Sequence, residues 1–306
     1  ITLIVFGLIQ TAPGNIVDFY MSANPETRMD MEKVQLLEKR LGLQQPIYIQ
    51  YLKWLQRLVC FDFGYSFETS RKISEELRSR IGATAILFLV SHLLAWPIAI
   101  LIGIVSAIKP NSLIDHLGRA GALVGLSLPA FWVGMALILL FGVKLRWFPI
   151  GGSLSIGTEH DTLFFLLRNR LWHLILPSTA IALQSIATTM RLTRAEMLEV
   201  LKKDYITTAR AKGLAERKIY LKHALRNSLM PVVTLIGLSM GHIFSGAVLT
   251  ETVFSWPGIG RYLVHAIHIR DYPTVMAVTV ITSCMVLLAN LLTDITYHWI
   301  NPKVRD

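Results

Sequence analysis

Long apolar runs alternate with polar connections along this chain. Five of the runs, roughly 84–108, 118–143, 172–191, 229–251 and 275–298, reach the ~20 mostly apolar residues that a helix needs to cross the hydrocarbon core of a bilayer. The opening ITLIVFGLIQTAPG is too short to cross alone. It reads as the outer end of a first span that begins upstream, because no basic n-region or small-residue cleavage site of a signal peptide precedes the charged stretch after it. Pro and Gly interrupt several runs, as in AWPIAILIG and GLSLPAFWVG. Neighbouring helices can re-satisfy backbone groups freed in this way, so Pro97 and Pro129 are expected to be tolerated kinks. A break at Ser127-Leu128-Pro129 that lines a pathway is the alternative. The pattern predicts an all-α, polytopic transmembrane helical bundle of six spans, the first one truncated.

Two polar regions carry helical patterns of their own. In 13–82, Asn24-Pro25 ahead of ETRMDMEKVQLLEKRLG reads as an N-cap and first-turn proline opening an amphipathic helix that Gly42 ends. Pro46 opens a second helix, PIYIQYLKWLQRL, with Ile47, Tyr51, Leu55 and Leu58 on one face, and ISEELRSRIG leads into the second span. A small helical cap packed by its own apolar stripe is expected here. In 191–228, helical character is expected to run from Arg191 to Gly213, a natural residue to follow a helix end. AERKIYLKHALRNS then returns the chain to the next span.

Composition sharpens this picture. Of 306 residues, 53% are hydrophobic and 16% charged, against about 25% charged in soluble domains. The net charge of +10 sits beside apolar runs, which points to a membrane protein rather than a nucleic-acid binder. Lys and Arg in short connections set the orientation. Arg191, Arg194, Lys202, Lys203, Arg210, Lys212, Arg217, Lys218, Lys222 and Arg226 crowd 191–228, and Lys109, Arg119, Lys303 and Arg305 fall on the same side. The opposite side holds Lys144, Arg146, Arg168, Arg170, Arg261 and Arg270. The richer side is expected to be cytoplasmic and to hold both chain termini, with 13–82 outside.

No enzyme site emerges. The phosphate loop GxxxxGK[ST] and the zinc motif HExxH are absent from the sequence. Ser153-Leu154-Ser155-Ile156-Gly157 lacks the first glycine of GxSxG and any strand context. His265 and His268 read as residues of an interfacial helix beside Arg261 and Arg270 rather than as metal ligands. Within the spans, His92 and His242 read as neutral, hydrogen-bonded side chains, and Asp294 as the partner of an interfacial basic residue. So few intramembrane ionisable groups argue against a proton-driven carrier. Cys60 and Cys284 match neither a metal cage nor a disulfide framework and read as packing residues.

The basic hairpin at 191–228 is the most distinctive feature. Thr207, Thr208, Ala209 and Ala211 are small, so another surface can approach the backbone there, and the surrounding bases can pair with acids on a partner. A solvated loop touching lipid head groups accounts for the charge, but not for the small residues or the ordered hairpin.

Asp204 to Gly213, followed by KHALRNSLMP, resembles the cytoplasmic loop of binding-protein-dependent ABC importer permeases. GLQQPIYIQYLKWL, FDFGYSF, LSLPAFWVG, RWFPIGG, HLILPS and ETVFSWPGIGRYL…RDYP follow in order over nearly the whole chain. Together they resemble the B-type permeases of the dipeptide/oligopeptide/nickel branch. The resemblance implies a type I ABC importer permease fold: residues 1–12 from a first helix, an extracytoplasmic cap at 13–82, and a five-span core at 83–306. It implies a non-enzymatic permease subunit of an ATP-driven importer of di- and oligopeptides, in a bacterial or archaeal cytoplasmic (inner) membrane. Alternating access, with motion carried from ATPase to spans by the hairpin, is the implied mechanism. Its partners would be a second homologous permease, two cytoplasmic ATPase subunits holding ATP and Mg2+, an extracytoplasmic solute-binding protein and the lipid bilayer. No cofactor on this chain and no nucleic acid is implied. Nickel or metallophore import is the alternative within the family, and an ATP-independent secondary carrier the remote one outside it.

Carried over residue by residue, the ATPase-coupling contact comprises Tyr205, Thr207, Thr208, Ala209, Arg210, Ala211, Lys212, Gly213 and Leu214. The general motif of Glu-Ala-Ala, three residues and Gly is altered, since Thr207-Thr208-Ala209 precedes Arg210-Ala211-Lys212-Gly213 without the glutamate. The spacing from Gly213 to Pro231 is also longer. Ser127, Pro129, Ser239, His242 and Ser245 are candidates for the translocation path. On the outer face, Trp256, Pro257, Gly258 and Arg261 are candidates for contact with the binding protein, and the cap is the other. Ile259, Leu263, Ala266 and Ile267 form a stripe expected to lay a short helix along the outer membrane face.

Overall fold

The computed structural model describes residues 2–11, 45–155, 157, 162–240 and 248–300. In chain order its helices are α1 (Thr2–Gln10), α2 (Ile47–Val59), α3 (Ile73–Ile108), α4 (Leu113–Ser127), α5 (Ala130–Leu137), α6 (Leu163–Val200), α7 (Asp204–Ala211), α8 (Glu216–Lys218), α9 (Leu225–Met240), α10 (Val248–Val253), α11 (Ile259–His268) and α12 (Tyr272–Ile300). π-Helical segments extend α5 over Ile138–Lys144 and join α8 to α9 over Ile219–Ala224. Three helices, Ile73–Ile108, Leu163–Val200 and Tyr272–Thr293, are long and apolar enough to cross a membrane, and α4 with α5 makes a fourth if the bent pair is one span. The expected span at 229–251 corresponds to α9 and α10, with 241–247 outside the described residues. So are the first expected cap helix at 24–42, His242, Ser245, Lys303 and Arg305, and the side chain of Asp294.

Pro97 is the tolerated proline expected, and α3 runs through it unbroken. Pro129 is not: α4 and α5 meet there at 104°. The proline ring bars the preceding residue from helical backbone, and Leu128 is accordingly extended, at φ −99° and ψ 128°. Pro129 then caps α5, where its missing N–H costs nothing.

Two compact units make up the chain, residues 1–83 with 258–285 and residues 84–257 with 286–306. In the second, α3, α4 and α6 meet around Ala99, Ala122, Ala187 and Met190. Small residues set these contacts. A Cβ at Gly103 would lie 2.7 Å from Cβ of Thr193 and 3.0 Å from the Met190 carbonyl, and one at Gly125 would lie 3.1 Å from Cβ of Ala187. Such close approach supplies dispersion contacts where lipid gives no hydrophobic drive to association. α12 approaches α9 similarly, with Thr293 Oγ1 donating to the Gly237 carbonyl at 2.8 Å. A further cluster gathers Leu176, Ala180 and Phe254, so the turn after α10 seats its phenyl ring against α6 and α5.

In the first unit, carboxyl groups organise the connections. Asp271, 1% exposed, accepts from Ser66 Oγ at 2.6 Å, Phe67 N at 3.2 Å and Thr274 Oγ1 at 2.8 Å. It thus caps α12 and holds the 64–72 turn at once. Tyr262 of α11 donates to Glu76, with the Arg80 guanidinium 4.0 Å above its ring. Burial, then the Glu76 bond, pushes the Tyr262 phenol well above its usual range. His265 Nε2 stands 3.0 Å from both Glu68 carboxylate oxygens. Ile259, Tyr262 and Ala266 are buried in the protein, leaving Ile267 exposed. Protein therefore covers part of the stripe expected on the membrane face, with Leu263 half-buried. Cys60 and Cys284 are free and exposed rather than packed inside.

Gly103→Ala should lower the apparent Tm of the detergent-purified protein, since overpacking a tight contact costs about 1–3 kcal/mol. Gly121→Ala, whose Cβ would meet nothing within 4 Å, should leave the Tm unchanged or raise it. Helix propensity there favours alanine by about 1 kcal/mol.

Candidate functional site

The basic hairpin lies wholly in the second unit. Its helical phase explains its shape. Nine residues separate Met197 from Ile206 and Val200 from Ala209, which is two and a half turns of α-helix. A continuous helix would put the two pairs on opposite faces. The chain instead breaks: Lys202 N donates to the Glu199 carbonyl at 3.1 Å and Lys203 N to the Val200 carbonyl at 3.1 Å, a tightened last turn. Lys203 is extended, at ψ 147°, and α7 begins. Asp204 stands in its first turn, where the helix dipole favours negative charge. The expected unbroken helix to Gly213 is therefore corrected to two helices, which lets both pairs reach one cluster. That cluster joins Ala107 of α3, Met197 and Val200 of α6, Ile206 and Ala209 of α7, and Ile219 and Ala224 of the returning strand of helix.

The end of α7 is a Schellman motif. Gly213 N donates to the Arg210 carbonyl at 2.9 Å and Leu214 N to the Ala209 carbonyl at 3.3 Å. Gly213 sits at φ +75°, the left-handed conformation that glycine adopts without a Cβ penalty. Leu214 packs against the buried cluster, which supplies the hydrophobic contact that accompanies this cap. Arg210 Nε donates to Glu216 Oε1 at 2.9 Å across the turn. Thr208 Oγ1 turns back to the Asp204 carbonyl at 2.9 Å, and Asn227 donates to Tyr205 Oη at 3.0 Å.

The candidate coupling residues thus fall into two sets. Tyr205, Thr207, Thr208, Arg210, Ala211, Lys212 and Gly213 are exposed, and Leu214 is half-buried. Ala209 is 7% exposed and faces inward, so it seats the helix instead of offering a surface. Elsewhere the candidates are scattered. Ser127 is exposed with its hydroxyl on the Leu123 carbonyl at 2.8 Å, Pro129 is exposed at the bend, and half-buried Ser239 donates to the Ile236 carbonyl at 2.6 Å. Trp256 is 3% exposed and Gly258 is buried, Pro257 is half-buried, and Arg261 is exposed. His92 is hydrogen-bonded as expected, to the Phe88 carbonyl at 2.9 Å.

A residue pair that sequence reasoning passed over locks the hairpin's stalk. Asp115, 0% exposed, takes two bonds from Arg194 of α6, Nε at 2.6 Å and Nη2 at 2.9 Å. It also accepts from Asn111 N at 2.9 Å, and its own N–H donates to Ser112 Oγ at 3.3 Å. Ser112-x-x-Asp115 is a capping-box variant, legible in the sequence as a helix start. The partner on α6 is not.

Gly213→Ala should cost about 1 kcal/mol through its left-handed backbone, read as lost hydrogen-exchange protection of the Leu214 amide. The Arg210 bond, and after it the Tyr220 bond, hold the Glu216 carboxyl below its usual range. A lowered folded-state value stabilises the hairpin above the ordinary carboxylate pKa, and that contribution is lost as pH falls through the lowered value. Both side chains are largely exposed, so the effect is small. Glu216→Gln should reduce amide protection factors in the turn near neutral pH and leave them unchanged in acid.

Residues 99–306 match the family described as "Binding-protein-dependent transport system inner membrane component". The chain is 41% identical over 305 residues to the oligopeptide transport system permease protein AppB of Bacillus subtilis, covering 99% of this chain and 94% of that one. It is 40% identical to the di/tripeptide transport system permease protein DppB of Pseudomonas aeruginosa and 38% identical to the dipeptide transport system permease protein DppB of Escherichia coli, each over 100% of this chain and 94% of the relative. On this agreement along its whole length, and on the apolar helices already described, the chain belongs to the binding-protein-dependent inner membrane components, the permeases of ABC importers.

Proposed function

We propose that the chain is the peptide-conducting permease subunit of an ATP-driven importer. In this reading it pairs with a second, homologous permease. Two cytoplasmic ATPase subunits supply ATP and Mg2+, and an extracytoplasmic binding protein delivers the peptide. The names of the relatives support peptides as the substrate class over nickel or a metallophore. α7 carries the coupling assignment: a short helix seated by Ile206 and Ala209 on a buried cluster that α3 and α6 share, with a small, basic outer face left open. A push on Thr207, Thr208, Ala211 or Lys212 would reach α6 through Met197 and Val200. Asp115–Arg194 would pass it on to α4, whose bend at Leu128-Pro129 we place beside the translocation path, with Ser127 and Ser239. The hairpin and both termini are assigned to the cytoplasm and the cap to the outside. The chain itself performs no chemistry in this scheme, so energy enters only through the hairpin.

Ala211→Trp separates coupling from folding. Its side chain is exposed, so the variant should insert normally while losing copurification of the ATPase subunits and ATP-dependent uptake of radiolabelled dipeptide. Ala209→Trp should instead lower stability as well, because its site is buried. Undiminished uptake by the Ala211 variant removes α7 from the coupling path. Uptake of nickel but not peptide by the intact complex removes the substrate assignment.

A further inference from the structure

The exposure of α2 points to a ligand surface. The helix has no buried residue, although its sequence IYIQYLKWLQRLV is strongly amphipathic. Its apolar side is wide, and only part of it is covered. α1 lies across that part. Phe6 places its ring 5.4 Å from Tyr51 and 5.8 Å from Trp54, Thr2 Oγ1 is 3.0 Å from Tyr51 Oη, and Gln10 Nε2 donates to Gln50 Oε1 at 3.2 Å. Thr2 and Gln10 are two turns apart on α1, yet they meet adjacent residues of α2, so the two helices cross steeply.

The adjoining stripe is open except at half-buried Leu55. Tyr48, Leu52, Leu55 and Val59 recur at spacings of four, three and four, one continuous helical face. Tyr48 is 66%, Leu52 59% and Val59 72% exposed, and Phe61, just past the helix end, is 76% exposed. Lys53 and Arg57 stand on the opposite side, Gln56 flanks the stripe, and all three are exposed. No acidic residue occurs in α2.

We propose that α2 is a membrane-surface anchor, lying in the lipid–water interface with Tyr48, Leu52, Leu55, Val59 and Phe61 in the acyl boundary. Two observations select lipid as the occupant. The open stripe borders α1, whose own Leu3 and Ile4 are 68% and 65% exposed, so the apolar surface is continuous with a helix of an inner membrane protein. The charges on the polar side, Lys53 and Arg57, are both basic, which matches anionic phospholipid head groups, and their long side chains can snorkel to them. Tyr48, Tyr51 and Trp54 are the residue types that settle at this depth. The anchor would hold the chain between α1 and α3 against the bilayer, fixing the height of the turn that Asp271 grips. It depends on residence in a membrane and not on the identity of the transported solute.

Site-directed spin labelling tests this. In full-length protein carrying Cys60→Ser and Cys284→Ser, labels are placed singly at Leu52→Cys, Val59→Cys, Lys53→Cys and Arg57→Cys. The protein is reconstituted into vesicles of phosphatidylethanolamine and phosphatidylglycerol. Collisions with oxygen, which partitions into lipid, are compared with those of a water-soluble nickel chelate. Oxygen should dominate at 52 and 59, and nickel at 53 and 57. Nickel dominance at 52 and 59 would place the stripe in water and overturn the proposal. Weak collisions with both reagents at 52 and 59 would mean that protein covers the stripe, which overturns it equally.

Discussion

A bilayer gives helices no hydrophobic reason to associate, because lipid tails are as apolar as the side chains they would replace. What remains is close backbone approach and buried polar pairing, and the second unit uses both on the same helices. Gly103 and Gly125 bring α3 and α4 against Thr193 and Ala187 of α6. Asp115, fully buried, fixes the start of α4 to Arg194 of the same helix. The bidentate geometry matters, since a buried carboxylate is tolerated only when its lone pairs are met by charge-assisted bonds. α6 is therefore the element on which the others register. Its length lets it serve the apolar contacts at Ala187 and the hairpin cluster at Met197 and Val200 without a joint between them.

The phase slip at Leu201–Lys203 follows from the same economy. One buried cluster receives Met197 and Val200 from α6 and Ile206 and Ala209 from α7, and only a turn between the helices permits that. The consequence is a helix whose inner face is fixed and whose outer face is small, polar and basic. A rigidly seated knob transmits displacement better than a solvated loop, because the conformational entropy of its ordering is spent in folding and not at each contact with a partner. The Schellman cap at Gly213 and the Arg210–Glu216 bond keep its far end from fraying.

Much of this was legible in the sequence. The apolar runs located the long helices, Pro129 marked the bend, and Gly213 marked the end of α7. The break at 201–203 was also present, as a half-turn offset between the Met197/Val200 and Ile206/Ala209 pairs, though the basic residues between them mask it. Other features had no local signature. Asp115, Glu251 and Asp271 look like ordinary surface acids, yet all three are buried. Their donors stand far off in the chain, as Thr84 does for Glu251 at 2.5 Å. Only Ser112-x-x-Asp115 carried a short-range hint, and it spoke of a helix start rather than of Arg194.

The two amphipathic helices of the first unit make the remaining point. An apolar stripe states that a helix has a side to bury and says nothing about what covers it. α11 was expected on the membrane, yet Ile259 and Ala266 are fully enclosed and its polar groups are tied to Glu76 and Glu68. α2 was expected to pack within a cap whose first helix, 24–42, lies outside the described residues, and its Tyr48, Leu52 and Val59 are exposed. The difference is visible in their charges once their contacts are known. The polar side of α11 meets carboxylates supplied by the 64–82 region, so protein completes it. The charges of α2, Lys53 and Arg57, make no ion pair among the described residues, and the anchor we propose would give them anionic head groups where α11 has carboxylates of its own chain.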